Sequence, residues 1–434
     1  MSPPSLDGVA SVGGVAGGVV TDDREAPLPA AEVTSVTTSC AATIDVAGAA
    51  RTEWGVLVIG AGPAGALAAR QSALLGLKTL LVDKSIFPRA KVCGGCISGL
   101  GRHVLERVGL GHLVKEPAAT PLDRFDLAAA GRRVSLALPL GAAISRYHFD
   151  AALVREAVAA GAEFLSETTA QVRGPVDAWR LRGVSLQGAS RDTVLARSRL
   201  VLTADGLGRT SLKRHGPFAP QVAAASRVGL SATLRGDECD LPSGTVSMSV
   251  GREGYVGMVR VPDGSINVAA AVDPDALRER GPAGMVKAIL VEAGVELPLD
   301  SLESTEWRGT GLLTRHSPRV AAKRLLLLGD AAGYVEPFTG EGMTWAMLSA
   351  VSVVALADQW LRTRQDDYRR FADLAGAWSR EHRSLVARRQ RDCRVLTWLL
   401  RHPAAVRTAL GVFSLAPGIA KPLVHYFWNQ KDLT

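Results

Sequence analysis

Three continuous apolar runs punctuate the chain: Glu53 to Ile59, Lys78 to Asp83 and Arg324 to Asp330. Continuous runs, unlike alternating ones, predict strands buried on both faces, as in a parallel sheet. Between the first two, an Ala/Leu-rich stretch from Gly65 to Leu75 predicts a helix that stops at Gly76, completing a strand–helix–strand start. Short alternating strands are predicted over 121–145, and an amphipathic helix over 149–160 that ends at Gly161. Strand signals with tight turns fill about 226–272. Helix returns over 276–294, and a long apolar helix runs from Met343 to Leu361. Residues 1–51, rich in Gly, Ala, Val and Thr, show neither period and are expected to form a disordered tail. No internal repeat is visible.

Composition narrows the class. The 434 residues are 47% apolar and only 5% aromatic, ordinary for a globular α/β protein. The net charge of +8 is uneven: residues 1–50 carry −5, and residues 361–434 carry +8. A basic balance confined to a tail rich in Leu and Trp does not suggest nucleic acid. Cys40, Cys93, Cys96, Cys239 and Cys393 are too few and too scattered for a disulfide framework. The first twenty residues lack a charged n-region and a compact apolar run, and no uninterrupted apolar stretch of roughly 20 residues is found. A cytoplasmic, soluble protein is expected.

Gly60-Ala61-Gly62-Pro63-Ala64-Gly65 is a GxGxxG turn between a predicted strand and helix, and Asp83 closes the second strand. This arrangement suits a pyrophosphate on the helix N-terminus and a ribose on the carboxylate. Gly329-Asp330-Ala331-Ala332 closes the third run, where a carboxylate among small residues suits the polyol chain of a flavin. Pro337 to Gly342 opens the long helix, whose N-terminus would stabilise an anionic reduced ring. Ala204-Asp205-Gly206 ends a further strand.

These motifs, in this order, with Arg89, Cys93, Gly94 and Gly95 between the first two, resemble flavoproteins of the glutathione-reductase-type FAD fold. The resemblance spans about 52–360 and is closest to the branch that holds geranylgeranyl reductases and single-component aromatic hydroxylases. Pro88 to Gly95 and Ile144 to Asp150 match the geranylgeranyl reductase side. The resemblance implies FAD held at Gly60, Gly62, Pro63, Ala64, Gly65, Asp83, Lys84, Arg89, Cys93, Gly94, Gly95, Arg146, Asp205, Gly329, Asp330, Gly340, Gly342 and Met343. Cys93, Arg89 and Tyr255 are the implied catalytic residues. Gly254 to Pro262 keeps the family's Tyr and Pro but lacks its aromatic pair, which opens the substrate pocket. A Trp-x-Trp pattern is absent, which argues against halogenation.

The fold class expected is α/β, with a Rossmann-like FAD-binding domain over 52–225 and 311–362 interleaved with a strand-rich substrate domain over 226–310. A helical basic segment follows over 363–434. The leading function is an FAD-dependent oxidoreductase that passes hydride to a hydrophobic, unsaturated substrate, isoprenoid or polyketide-like. The alternatives are a flavin monooxygenase and a non-catalytic, membrane-associated flavin-binding protein. With no second GxGxxG, a nicotinamide donor, NAD(P)H, or another electron carrier must reach the flavin directly. Cys93-x-x-Cys96 reads as a flavin-side loop in preference to a redox pair, and no metal site is expected. The segment Arg380 to Trp428 reads as a helix packed on the body in preference to a peripheral membrane anchor. Glu336 and Glu341 are proton-donor candidates by position alone.

Overall fold

Runs that are apolar on every side come to lie inside a parallel sheet. In the computed structural model, which describes residues 39–176, 180–190, 192–295, 299–336, 338–362 and 368–428, five strands run parallel in the order β18-β9-β1-β2-β6. These are β1 (Glu53–Ile59), β2 (Thr79–Val82), β6 (Glu163–Leu165), β9 (Thr193–Thr203) and β18 (Leu325–Leu327). Val56 to Val58, Leu80 to Val82, Leu200 to Leu202 and Leu325 to Leu328 are fully buried. β17 (Ala321–Ala322) flanks β18, and β7 (Thr169–Val176) and β8 (Leu181–Gln187) extend β9 as an antiparallel meander.

Register decides where the site forms. Ile59 pairs with Val82 and Thr203, Leu327 with Thr203, and Val82 with Leu165. The strands therefore end level with one another, and the motif loops leave from one edge. That carboxyl edge is where open parallel sheets bind ligands. Helix α2 (Pro63–Leu74) packs against α4 (Arg146–Ala159) and α7 (Gly342–Arg362) beside this sheet. By length and composition α7 could cross a membrane, yet 67% of its apolar window is buried inside the protein, as in a core helix.

A second, eight-stranded sheet has the order β15-β11-β14-β13-β12-β4-β5-β3. It joins β11 (Val228–Leu234), β12 (Thr245–Gly251), β13 (Gly254–Arg260), β14 (Ile266–Val272) and β15 (Arg308–Leu312) to β3 (Cys96–Ile97), β4 (Thr120–Ala129) and β5 (Arg132–Ala143). This corrects the expected division. β3, β4 and β5 (residues 96–97 and 120–143), assigned to the first part of the FAD-binding domain, belong to this second sheet, because β4 pairs in parallel with β12 from Arg124↔Thr245 to Ala129↔Val250, whereas Leu100 to Ala119 between them pack in the core around the parallel sheet. Helices α5 (Pro274–Ala293) and α6 (Leu299–Ser304) cover it, with Met285, Ile289 and Leu290 packed among Val256, Met258 and Val268. α5 breaks at Gly281, whose φ of 67° precedes Pro282. Three short strands, β10 (Gln221–Val222), β16 (Arg315–His316) and β19 (Gly333–Tyr334), form a third sheet.

The expected tail over 1–38, and Pro337 in the loop before α7, lie outside the described residues. Residues 39–51, expected within that tail, are instead folded onto the body. Cys40 and Ala49 are buried, the Cys40 N–H donates to the Phe87 carbonyl at 3.0 Å, and Trp54 Nε1 donates to the Ala49 carbonyl closing α1 (Val46–Arg51). The remaining helices are α3 (Gly99–Arg107) and the C-terminal α8 (Tyr368–His382), α9 (Arg388–Leu399), α10 (Pro403–Leu415) and α11 (Lys421–Trp428).

Candidate functional site

The GxGxxG turn is held from both neighbouring strands. Gly60 N–H donates to the Val82 carbonyl and Ala204 N–H to the Ile59 carbonyl, both at 2.7 Å. Gly60 has φ 97°, and a Cβ on Gly65 would sit 1.7 Å from the Gly60 oxygen, so neither position admits a side chain. Gly62, the residue before α2, is different. Its Cβ direction is open, with only an Arg89 Nη2 at 3.8 Å. Pro63 occupies the first helical position, where no amide is lost, and buried Ala64 follows.

Arg89 carries the clearest sign of a missing anion. Its Nε and Nη1 are buried without hydrogen-bond partners, while Nη2 lies 3.6 Å from Asp150 Oδ2. A guanidinium with orphaned donors, facing an open glycine at a helix N-terminus, fits a diphosphate. The structure thus brings Arg89 beside Gly62, which suits the cofactor-binding role expected of it. Asp150, fully buried, accepts from both Nε and Nη2 of Arg146 at 2.7 Å. It orients two arginines at once. The i,i+4 spacing from Arg146 is the signal that could have revealed it.

Asp83 is part of the cradle, but as a brace. Oδ2 accepts from Ala61 N–H at 2.6 Å and Oδ1 from Ser85 N–H at 2.9 Å. Each oxygen keeps a second lone pair for a ribose hydroxyl. Lys84 is exposed beside it. A groove of about 500 Å³, lined by Asp45, Leu165 and Thr168 among others, opens along this end of the edge.

The third and fourth motifs close on the first. A Cβ on Gly329 (φ 57°) would meet the Ala64 Cβ at 2.9 Å, so the Gly-Asp-Ala-Ala turn rests on the first turn of α2. Asp330 is pushed up to about 6 by loss of solvent, against the pull of Arg146 and Lys91. Asp205 accepts from Ser211 N–H at 2.8 Å through Oδ2, while Oδ1 is buried without a partner. Burial raises its pKa against that hydrogen bond. These groups gather at the carboxyl edge of the parallel sheet, and the buried partnerless atoms of Arg89 and Asp205 fit a dinucleotide cofactor.

Cys93, Gly94 and Gly95 enter the cleft from the other sheet. Asn267 Nδ2, on β14, donates to the Cys93 carbonyl at 2.8 Å, and nothing lies within 4 Å of a Cβ on Gly94. Cys93 and Cys96 are both free thiols. Cys96 is buried in β3, donates to the Gly94 carbonyl at 3.4 Å, and has its thiol pKa pushed well up by burial. A thiol held neutral there is a poor nucleophile. Tyr334, which sequence reasoning missed, shares the Cys93 and Asp330 neighbourhood and has its phenol pushed well up, by burial first. Its ring lies 3.4 Å from a Cβ placed on Gly342.

Residues 338–343 link this cleft to an apolar cluster. Phe338 meets Tyr255 edge-on at 5.2 Å and Phe125 at 6.4 Å. Tyr255 lies within that cluster, its hydroxyl buried without a partner and its ring 5.7 Å beneath Arg227. Burial, then Glu336, push its phenol well up. Gly340 (φ 72°) has Cys96 and Trp428 as its neighbours, and Met343 is buried in the first turn of α7.

The basic segment reaches this loop by one face of α9. Arg389 pairs with buried Glu341 at 3.1 Å, Gln390 Nε2 donates to the Gly333 carbonyl at 2.9 Å, and Cys393 lies against Thr339 and the Glu336 carbonyl. Glu341 is pushed up to about 8 by burial, against Arg389. Glu336 is 3% exposed and takes Arg401 at 3.2 Å and Arg227 at 3.6 Å. Nothing local in the sequence pairs α9 with this loop. Among the described residues no group of three His, Cys, Asp or Glu could hold a metal ion.

Residues 53–366 match the FAD binding domain family. The chain is 24% identical over 320 residues to conditioned medium factor receptor 1 of Dictyostelium discoideum, covering 67% of this chain and 61% of that one. It is 34% identical over 166 residues to a digeranylgeranylglycerophospholipid reductase of Methanosphaerula palustris, 36% of this chain and 39% of that protein. It is 28% identical over 330 residues to a menaquinone reductase of Mycobacterium tuberculosis, 70% of this chain and 76% of that one. The first two matches thus span less than two thirds of those relatives. Among solved structures, the flavin-dependent brominase Bmp2 superposes with a TM-score of 0.71 at 16% identity, covering 87% of this chain and 93% of that one, a likeness of fold.

Proposed function

We propose, from the premise that this chain belongs to the FAD binding domain family, that it is an FAD-dependent reductase of a lipophilic, unsaturated, isoprenoid-type substrate. The observation that carries this reading is the position of residues 333–343. Tyr334 and Gly342 stand on the cofactor side, while Phe338 packs in an apolar cluster with Tyr255 and Phe125. Relatives that include a digeranylgeranylglycerophospholipid reductase and a menaquinone reductase support a prenyl-bearing substrate.

Bound FAD supplies the hydride chemistry. The chain's own residues bind and orient. The α2 N-terminus and Arg89 take the diphosphate charge, and Asp83 and Asp205 take the ribose and nearby hydroxyls. Asp330, pushed up to about 6 by burial, would hold the polyol hydroxyls. Tyr334 keeps its proton at neutral pH, so its hydroxyl acts as a donor in the cleft. The aromatic wall of Phe338, Phe125 and Tyr255 keeps water from the reacting carbons.

The electron donor is a nicotinamide cofactor or another carrier that reaches the flavin directly. The enzyme works in the cytoplasm, drawing a small lipophilic substrate from a membrane surface that its basic C-terminal segment contacts. Anaerobic reduction of the purified yellow protein, followed by addition of prenyl lipids or menaquinone, tests the reading. Flavin reoxidation with loss of one substrate double bond is expected. Hydroxylated product formed only with O₂ would assign a monooxygenase instead, and no reoxidation by any such substrate would leave a non-catalytic flavoprotein.

A further inference from the structure

Exposed apolar residues concentrate at the C-terminal end. Among the described residues, eight of the sixteen large exposed hydrophobics fall within 395–426, far more than chance placement over the surface would give. They are not on the face of α9 that grips the 333–341 loop. Val395, Trp398 and Leu399 lie on the outer side of α9, and the other five gather on α10, α11 and the joint between them, where the two helices are bent by 118° to each other. Val412 is 41% exposed, Leu415 89%, Ile419 59% and Leu423 44%.

The same two helices have an inner face. Val406, Leu410, Ala420 and Trp428 are buried in the apolar cluster that holds Tyr255 and Phe338, and Trp428 lies against Gly340 and Gly141. A wedge apolar on both sides has one side covered by that cluster. The charge around it points to what covers the other: residues 393–428 carry Arg394, Arg401, Arg407 and Lys421 and no Asp or Glu. Arg401 is tied to Asp273 and Glu336, whereas Arg407 and Lys421 are exposed on the wedge itself.

We propose that the α10–α11 wedge docks on an anionic bilayer. Leu415, Ile419 and Leu423 enter the boundary between headgroups and acyl chains, with Arg407 and Lys421 at the level of the lipid phosphates. This narrows the membrane-facing element from the whole segment Arg380 to Trp428 to the bend after α9, one face of which holds the cofactor-side loop. Because the inner face of the wedge packs in the same apolar cluster as Phe338 and Tyr255, a lipid leaving the bilayer passes along it towards them. That last step rests on the lipid-reductase reading; the docking does not.

The test is co-sedimentation of the flavin-loaded full chain with vesicles of phosphatidylcholine, with and without phosphatidylglycerol. Binding to the anionic vesicles is expected, and weaker binding to the neutral ones. The combined substitution Leu415→Ser, Ile419→Ser, Leu423→Ser should lower partitioning by about tenfold or more, with flavin content and circular dichroism unchanged. Arg407→Gln with Lys421→Gln should lose only the preference for anionic lipid. Wild-type protein that fails to bind, or a triple variant that binds as well as wild type, overturns the proposal. A lipid-free dimer that the triple variant dissociates overturns it too, by assigning the tip to a second copy. The readouts separate the two readings: a reduced enzyme inert to prenyl lipids sinks the reductase and leaves vesicle binding intact. Absent vesicle binding leaves turnover of detergent-dispersed substrate intact.

Discussion

Asp150 lies between Arg146 and Arg89, accepting two hydrogen bonds of 2.7 Å from the first and standing 3.6 Å from the second. The carboxylate is fully buried, so it fixes both guanidinium groups in a setting where water cannot. Asp150→Asn keeps the shape and removes the charge, leaving two buried cations unbalanced. A loss of about 3 kcal/mol in unfolding free energy is expected. Because Arg89 faces Gly62, flavin retained on purification should fall as well; denaturant titration and the visible spectrum read the two effects.

Gly65→Ala forces a methyl to within 1.7 Å of the Gly60 carbonyl oxygen, and that oxygen belongs to a strand end that cannot retreat. The variant should purify colourless or unfolded. A yellow Gly65→Ala protein with normal flavin stoichiometry would show that the turn is not the diphosphate cradle.

Tyr255→Phe removes a buried hydroxyl that has no hydrogen-bond partner. Deleting an unsatisfied group should leave stability unchanged or raise it by about 1 kcal/mol. If the hydroxyl meets substrate, kcat/KM falls while flavin binding does not, measured by steady-state turnover and flavin fluorescence. Unchanged turnover would make Tyr255 a wall residue only.

Arg389→Met leaves Glu341 buried without its cation, at the first turn of α7. At pH 7, where Glu341, pushed up to about 8, is largely protonated, the single variant should destabilise by about 2 kcal/mol through the lost hydrogen bond to a charged group, and by more at pH 9. Adding Glu341→Gln should remove the extra loss at high pH. Additive losses in the double variant would mean that the pair is not coupled.

His382 is buried against Trp378 and titrates near 4, lowered by burial first and then by Arg383. In the unfolded chain its pKa is about 6.5, so between roughly 6.5 and 4 the unfolded state binds the extra proton. Stability should therefore decline as pH falls through that window, by at most about 3 kcal/mol from this group. His382→Phe should flatten that part of the profile in pH-dependent thermal melts.

The parallel sheet and its cradle were legible because their signals are local. A continuous apolar run, a glycine turn and a helix start occupy adjacent residues, so Gly60 to Gly65, Asp83 and Gly329-Asp330 could be assigned to one edge before any contact was known. Arg146 and Asp150 were within reach for the same reason, one helical turn apart. Asn267, Arg389 and the pairing of β4 with β12 were not. Each depends on a partner more than a hundred residues away in the chain or on the far side of a long loop, except that Arg389 lies 48 residues from Glu341. No period or spacing encodes which strand edge a hairpin will choose.

The sequence by itself determined the doubly buried strands, the dinucleotide turn and the uneven charge, since backbone conformation and burial pattern are written into neighbouring residues. Only the tertiary structure decided that Arg89 faces the open glycine, that the strands within 96–143 complete the second sheet, and that the basic segment divides in two. In that segment α9 turns its polar face inward onto the 333–341 loop, while α10 and α11 turn apolar residues outward. The physical reason is that buried charges must find partners: Glu341 and Glu336 draw Arg389 and Arg401 inward, and the apolar bend beyond them is left at the surface.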